Sequence, residues 1–269
     1  MVGKYFVTDA HCHVYPSKIA ALATANTDRF YNVQSAYHGT VDELIEVKKE
    51  SGIDRFIIQS VATTPKQVRS INDFIAATVE ENKECMTGLG TLHPDSTDLR
   101  GDVEHIIEKG LHGVKLHPDI QQFKIDDYRC LKIYELCEEF SLPVLMHTGD
   151  RRYDFSNINR LIPVMETYKN LTVIGAHLGG WSNWHDAPEK LAGLPNLYYD
   201  CSSCFYWCDE KIVREIIELY GFDRVMFGTD YPMWSYKTEL KKLFDMNFTE
   251  EQYRKILSEN AAKIYKIDG

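Results

Sequence analysis

Apolar positions along the chain fall into short continuous runs separated by longer stretches with helical spacing. Runs such as Phe56-Ile57-Ile58 and Val173-Ile174 are apolar on successive residues, as expected where a parallel sheet is buried on both faces. The strands predicted this way begin near Tyr5, Ile53, Cys85, His112, Leu142, Leu171, Asn196 and Asp223. After the first gap these starts lie about 25 to 32 residues apart, the length of one strand-helix unit. Eight such units predict an α/β chain folded as a single (β/α)8 TIM barrel over residues 1–269, with an extended first β-to-α connection and an extra C-terminal helix. A doubly wound open sheet would alternate similarly, and the count of eight favours the barrel.

The helices carry their own signals. Thr40 followed by Glu43 reads as a capping box ahead of the stripe Val41, Leu44, Ile45 and Val47. Asp126 is expected to cap a helix from Tyr128 to Phe140 whose Leu131, Ile133, Tyr134 and Leu136 cover the outside of the barrel. Thr249 with Gln252 starts a last helix running to Tyr265. The insertion from Val14 to Gly39, with Tyr15, Tyr31 and Tyr37, is long enough to form a lid over the first strand.

Charge narrows the function. With 40 acidic against 30 basic residues and a formal charge of -10, the chain lacks the basic excess of a nucleic-acid or anionic-membrane surface, so a small-molecule substrate is expected. No 18 apolar residues run together, and the N-terminal Met1-Val2-Gly3-Lys4 leads straight into the first strand, which reads as a soluble, cytoplasmic protein. The odd total of seven cysteines fits reduced thiols. Cys201, Cys204 and Cys208 lack the two-plus-two spacing of a structural zinc site and read as small residues at a strand-to-loop junction.

A parallel α/β barrel places its chemistry at the C-terminal mouth of its strands, and the strand ends here are rich in metal-competent groups. The first ends Asp9-Ala10-His11-Cys12-His13, where alternation sends both imidazoles the same way. The fourth ends Lys115-Leu116-His117-Pro118, the fifth Met146-His147-Thr148-Gly149, the sixth Ala176-His177-Leu178-Gly179-Gly180, and the eighth Gly228-Thr229-Asp230-Tyr231-Pro232. Imidazoles and a carboxylate arriving at one rim from strands one, five, six and eight predict a metal centre.

In these segments, together with Gly113-Val114-Lys115-Leu116-His117-Pro118 and a late Asn260-Ala261-Ala262-Lys263-Ile264-Tyr265, the chain resembles the amidohydrolase superfamily. The likeness is to its amidohydrolase-related branch, which holds decarboxylases of the aminocarboxymuconate-semialdehyde type beside hydrolases and hydratases. The resemblance implies that His11, His13, His147 and Asp230 hold one divalent ion, usually zinc and sometimes manganese, with water at the open position. It implies that His177 stands beside the ion as acid/base, electrophile or further ligand, and that a homodimer forms. Some superfamily members bridge two metals through a lysine late in the fourth strand. Lys115 lies near that position but precedes His117, so a single ion is expected, with Lys115 as a substrate-carboxylate contact or a paired structural lysine.

Two chemistries fit these residues. In the first, a metal-bound water of lowered pKa attacks an ester, lactone or amide of a small acid while Asp230 accepts its proton. In the second, Asp230 or His177 protonates a ring or alkene carbon ahead of loss of carbon dioxide, a non-oxidative decarboxylation. A barrel that only binds is the remaining alternative. Aromatic residues after strands six to eight, Trp181 and Tyr231 among them, suit a planar substrate, and Arg151 and Arg152 suit its carboxylate. Arg151 or Arg152 pairing with Asp150 or Asp154 is the competing reading of that cluster. His93 and His117 are at the correct end to line the pocket.

Overall fold

The computed structural model describes residues 3–267. Its parallel strands are β1 (Thr8–His13), β2 (Arg55–Gln59), β3 (Met86–Gly88), β4 (Gly90–Thr91), β5 (Val114–Leu116), β6 (Val144–Met146), β7 (Val173–Gly175), β8 (Leu197–Asp200) and β9 (Val225–Met226). Every one begins within three residues of its expected start except β4, which is the continuation of β3 past Leu89. Leu89 donates its N–H to Ile58 on one side, at 2.9 Å, and Gly90 donates to Gly113 on the other, at 2.9 Å, so β3 and β4 are one stave that changes partner.

Neighbours pair in chain order from β1 to β3 and from β4 to β9. The last gap is bridged by Ala10 N–H on Phe227 O at 2.9 Å and His13 N–H on Tyr231 O at 2.7 Å. Hydrogen bonds thus run right round the barrel. Alternation sorts the side chains: Val114, Leu116, Val144 and Met146 join the large outer core under the helices, whereas Ala10, Ile57, Leu89, Leu145, Ile174, Ala176 and Met226 form an inner cluster. Lys115, between two outward residues, and His147, two residues beyond Leu145, share the inner parity, which places them above that apolar plug.

The helices follow the expected order with local differences. Thr40 caps helix α2 (Val41–Ser51) by accepting from the Glu43 N–H, but the Glu43 carboxylate reaches back to the N–H groups of His38 and Gly39 instead of that of Thr40. Asp127, not Asp126, caps the helix Tyr128–Glu139; Asp126 is drawn off by an ion pair with Arg160. Thr249 and Gln252 do form a capping box, and the final helix runs to Tyr265 through a π turn at Lys255–Glu259. Its Ala261, Ile264 and Tyr265 plug the inner cluster from below.

The Val14 to Gly39 insertion is mostly helix, α1 (Ser17–Tyr31), with Ala20, Thr24 and Tyr31 buried along one stripe. Pro16 at its start offers no side-chain cap, and four alanines supply high helix propensity instead. Helix α3 (Val68–Glu81) packs against β3 and β4. No helix among the described residues is long and apolar enough to cross a membrane.

Candidate metal centre and cavity

The rim residues converge on His11. Its Nδ1–H donates to Asp200 Oδ2 at 2.9 Å, which leaves Nε2 unprotonated and facing the mouth. Around that Nε2 stand Lys115 Nζ at 3.1 Å, His13 Nε2 at 3.2 Å and Asp230 Oδ1 at 3.3 Å. One ligand atom each from His11, His13 and Asp230 lies within 4.8 Å of the others. Two imidazoles and a carboxylate at this spacing, with the first imidazole anchored through a carboxylate on its far nitrogen, form the arrangement that orients histidine ligands in metal sites.

Asp230 and His177 both sit in left-handed backbone, at φ 58° and 59°. Such conformations are uncommon outside glycine and persist where surrounding structure holds them. Asp230 is held by Ser203, whose hydroxyl donates to Oδ2 at 2.6 Å and in turn accepts from Trp234 Nε1 at 2.7 Å. His177 is held by its Nδ1–H on Ser202 O at 2.9 Å. Its Nε2 is therefore free to accept from His147 Nδ1 at 3.1 Å, and His147 Nε2 is left bare, 3.7 Å from Asp119 Oδ2. That nitrogen and that oxygen are buried with no hydrogen-bond partner.

The structure thus brings His11, His13 and Asp230 to one point, and places His147 in the wall of the same cavity with its nitrogens aimed at His177 and Asp119. Two glycines make the approach feasible. A Cβ on Gly228 would meet the His11 Cβ at 3.0 Å, and one on Gly149, at φ +94°, would lie 2.5 Å from Gly180 Cα.

Burial governs the protonation states. It raises the Asp230 carboxyl, yet the imidazoles of His11, His177 and His13 outweigh it and hold Asp230 below the usual carboxylate range. Asp200 is likewise raised by burial and more strongly lowered, chiefly by His11. Desolvation lowers His13, His147 and His177, so their neutral, ligand-competent forms are favoured. Lys115, fully buried, is lowered to about 8 by desolvation.

These groups form the floor of a cavity of about 610 Å³, walled by α1, α3 and Met233. Lys115 and His117 line it, and His117 Nε2 bonds to the Tyr31 hydroxyl of α1 at 2.8 Å. The other expected substrate contacts do not line it. Arg152 is committed to Asp150, with Nη2 at 2.7 Å, and to Phe30 O, while packing against the rings of Phe30, Tyr31 and Trp181. Arg151 is exposed, Trp181 packs behind Tyr31 and His147, and the Tyr231 hydroxyl is turned to Thr40 O at 2.9 Å. His93 is buried away from the cavity. Among the described residues Cys201, Cys204 and Cys208 form no metal-competent cluster, and burial raises all three thiols.

Sequence reading missed Asp200, Ser202, Ser203 and Asp119. Asp200 had a signal, an acid closing the seventh expected strand. The serines had none, since they act through hydroxyl positions that only the fold creates.

A curated relative, 2-amino-3-carboxymuconate-6-semialdehyde decarboxylase of Dictyostelium discoideum, is 24% identical over 236 residues, 74% of this chain. The match spans 66% of that relative, just under two thirds of its length. Among solved structures, an uncharacterised TIM-barrel protein of Bordetella bronchiseptica superimposes with a TM-score of 0.78 at 20% identity, covering 97% of this chain and 98% of that one. A dihydroxybenzoic acid decarboxylase of Polaromonas sp., with bound manganese and the inhibitor 2-nitroresorcinol, superimposes with a TM-score of 0.75 at 16% identity, covering 97% of each chain. Such identities establish the shared barrel. The family assignment comes from the amidohydrolase sequence model, which matches residues 8–267 and so takes in the first strand, every rim group described above and the closing helix: the chain belongs to the amidohydrolase family.

Proposed function

We propose that the protein is a non-oxidative carboxy-lyase acting on an aromatic or unsaturated carboxylic acid. The observation that carries this reading is a mainly apolar cavity closing on a floor of imidazoles and the Asp230 carboxylate. A substrate carboxylate stripped of water there loses the solvation that stabilises it, which favours departure as neutral carbon dioxide. The names borne by the curated relative and the manganese-bound neighbour support decarboxylation over the hydrolysis that the rim residues equally permit.

His11, His13 and Asp230 fit a divalent cation: one donor atom of each lies within 4.8 Å of the others. Imidazole and carboxylate donors suit zinc or manganese. When bound, the ion supplies fixed positive charge that orients an anionic substrate oxygen. Asp230, ionised in the free site, takes a proton from a substrate hydroxyl or from solvent water as the substrate arrives and passes it to the carbon bearing the carboxylate. The bond from that carbon to the carboxylate then breaks, and its electron pair restores the unsaturated system as carbon dioxide leaves. His177, oriented by Ser202, stands beside this exchange with its Nε2 on His147 Nδ1, and Lys115 offsets negative charge at the floor.

Incubating the enzyme with a panel of hydroxybenzoic and unsaturated acids in D2O tests the reading. Release of carbon dioxide with one deuterium at the vacated carbon is expected, and Asp230→Asn should lower the rate by about a hundredfold or more. Hydrolysis of esters or lactones with no carbon dioxide from any acid would refute it.

A further inference from the structure

The cavity is larger than the reaction at its floor requires. At about 610 Å³ it falls within the range that encloses drug-sized ligands, well beyond a single ring and its carboxylate. Its imidazole and charged side chains belong to the strand ends and the segments just after them. The outer walls are different. From α1 come Ile19, Ala23 and Phe30, and from α3 come Ile71 and Phe74, with neutral Asn26 and Ser70 between.

Both helices carry charged residues, and none of them lines the cavity. Arg69 pairs with Asp102, Asp73 with Lys109, Asp28 holds Ser35, and Arg29 bonds to Asn26 Oδ1. Lys18 is exposed and does not line the cavity. A second carboxylate on a substrate would therefore lie against apolar walls with no cation to receive it, a costly placement. Ile19, 50% exposed, borders the cavity and carries its apolar wall out to the surface.

We propose that the substrate is a monocarboxylic acid whose planar core carries an apolar extension, an alkyl chain or second ring, lying between α1 and α3 and read by Ile19, Ala23, Ile71 and Phe74. The proposal rests on the carboxy-lyase reading only for which end of the molecule faces the floor.

Calorimetric affinities of 4-methyl-, 4-butyl- and 4-octylbenzoate for the purified protein test it without turnover. Affinity is expected to tighten roughly threefold per methylene until the cleft is filled. Ala23→Trp, which blocks the cleft from the half-exposed face of α1, and Ile71→Asp, which charges the facing wall, should each flatten that dependence. Circular dichroism establishes that each variant is folded. Affinity independent of chain length in the parent, tighter binding of benzene-1,4-dicarboxylate than of 4-butylbenzoate, or a slope unchanged in both folded variants would overturn the proposal. A preserved slope with no carbon dioxide release removes the reaction assignment and leaves the cleft, whereas release with a flat slope removes the cleft alone.

Discussion

Asp200 shows how a single side chain sets the chemistry of another. Its carboxylate accepts from His11 Nδ1, from the Ser202 hydroxyl and from the Ser202 and His177 N–H groups, so it fixes both the tautomer and the tilt of His11 while steadying the backbone at His177. An amide in its place can accept only at its oxygen and turns a donor toward one of these partners. Asp200→Asn should therefore weaken divalent-metal binding by about 10- to 100-fold, read by competition with a chromophoric chelator. A second buried acid gives a pH signature away from the rim. Glu239 is 1% exposed, and burial raises its carboxyl from 4.5 to about 8. Between those values the folded chain keeps a proton that the unfolded chain has released, so stability falls as pH rises from about 4.5 to 8, with the penalty fully present above 8. Glu239→Gln removes this titration, and its stability relative to the parent should rise between pH 5 and pH 8 in urea unfolding. The expected gain is a few kcal/mol, because each pH unit separating the folded from the unfolded carboxyl is worth about 1.4 kcal/mol.

Elements were legible where one local signal dominated. Strands buried on both faces declared themselves as unbroken apolar runs, and Thr249 with Gln252 marked the final helix because both halves of a capping box lie within four residues. Thr249→Ala should cost about 1 kcal/mol in chemical unfolding, since it leaves the Gln252 N–H without its partner. Helix α1 was not legible as a helix. It starts at Pro16 without a side-chain cap, its buried stripe of Ala20, Thr24 and Tyr31 contains little apolar surface, and its tyrosine pointed instead to a loop. The cap fell on Asp127 instead of the expected Asp126 through tertiary structure, because Arg160 arrives from a distant segment and engages Asp126. Tyr31 ties α1 to the floor through His117, and Tyr31→Phe leaves that buried imidazole nitrogen unpaired. A loss of about 1–3 kcal/mol in unfolding free energy is expected.

For the molecule as a whole, the barrel turns eight separate strand ends into one chemical surface. His11, Lys115, His147, His177, Asp200 and Asp230 are scattered over most of the chain, and the inward parity of alternate strand residues sends them to the same mouth. The first, fifth, sixth and eighth ends could be recognised in advance because histidine and aspartate at strand termini are chemically conspicuous. Arg151 and Arg152 were equally conspicuous and are nevertheless turned away, one to solvent and one to Asp150, because the local carboxylate satisfies a guanidinium before the cavity can. The chemistry proposed for this mouth depends on one cation held by His11, His13 and Asp230, and the decisive experiment is metal analysis of the purified protein beside His11→Ala, His13→Ala and Asp230→Asn. One zinc or manganese ion per parent chain, lost from each folded variant, is the expected result; a parent that takes up neither ion, or variants that retain the full complement, would show that no such cation is held there.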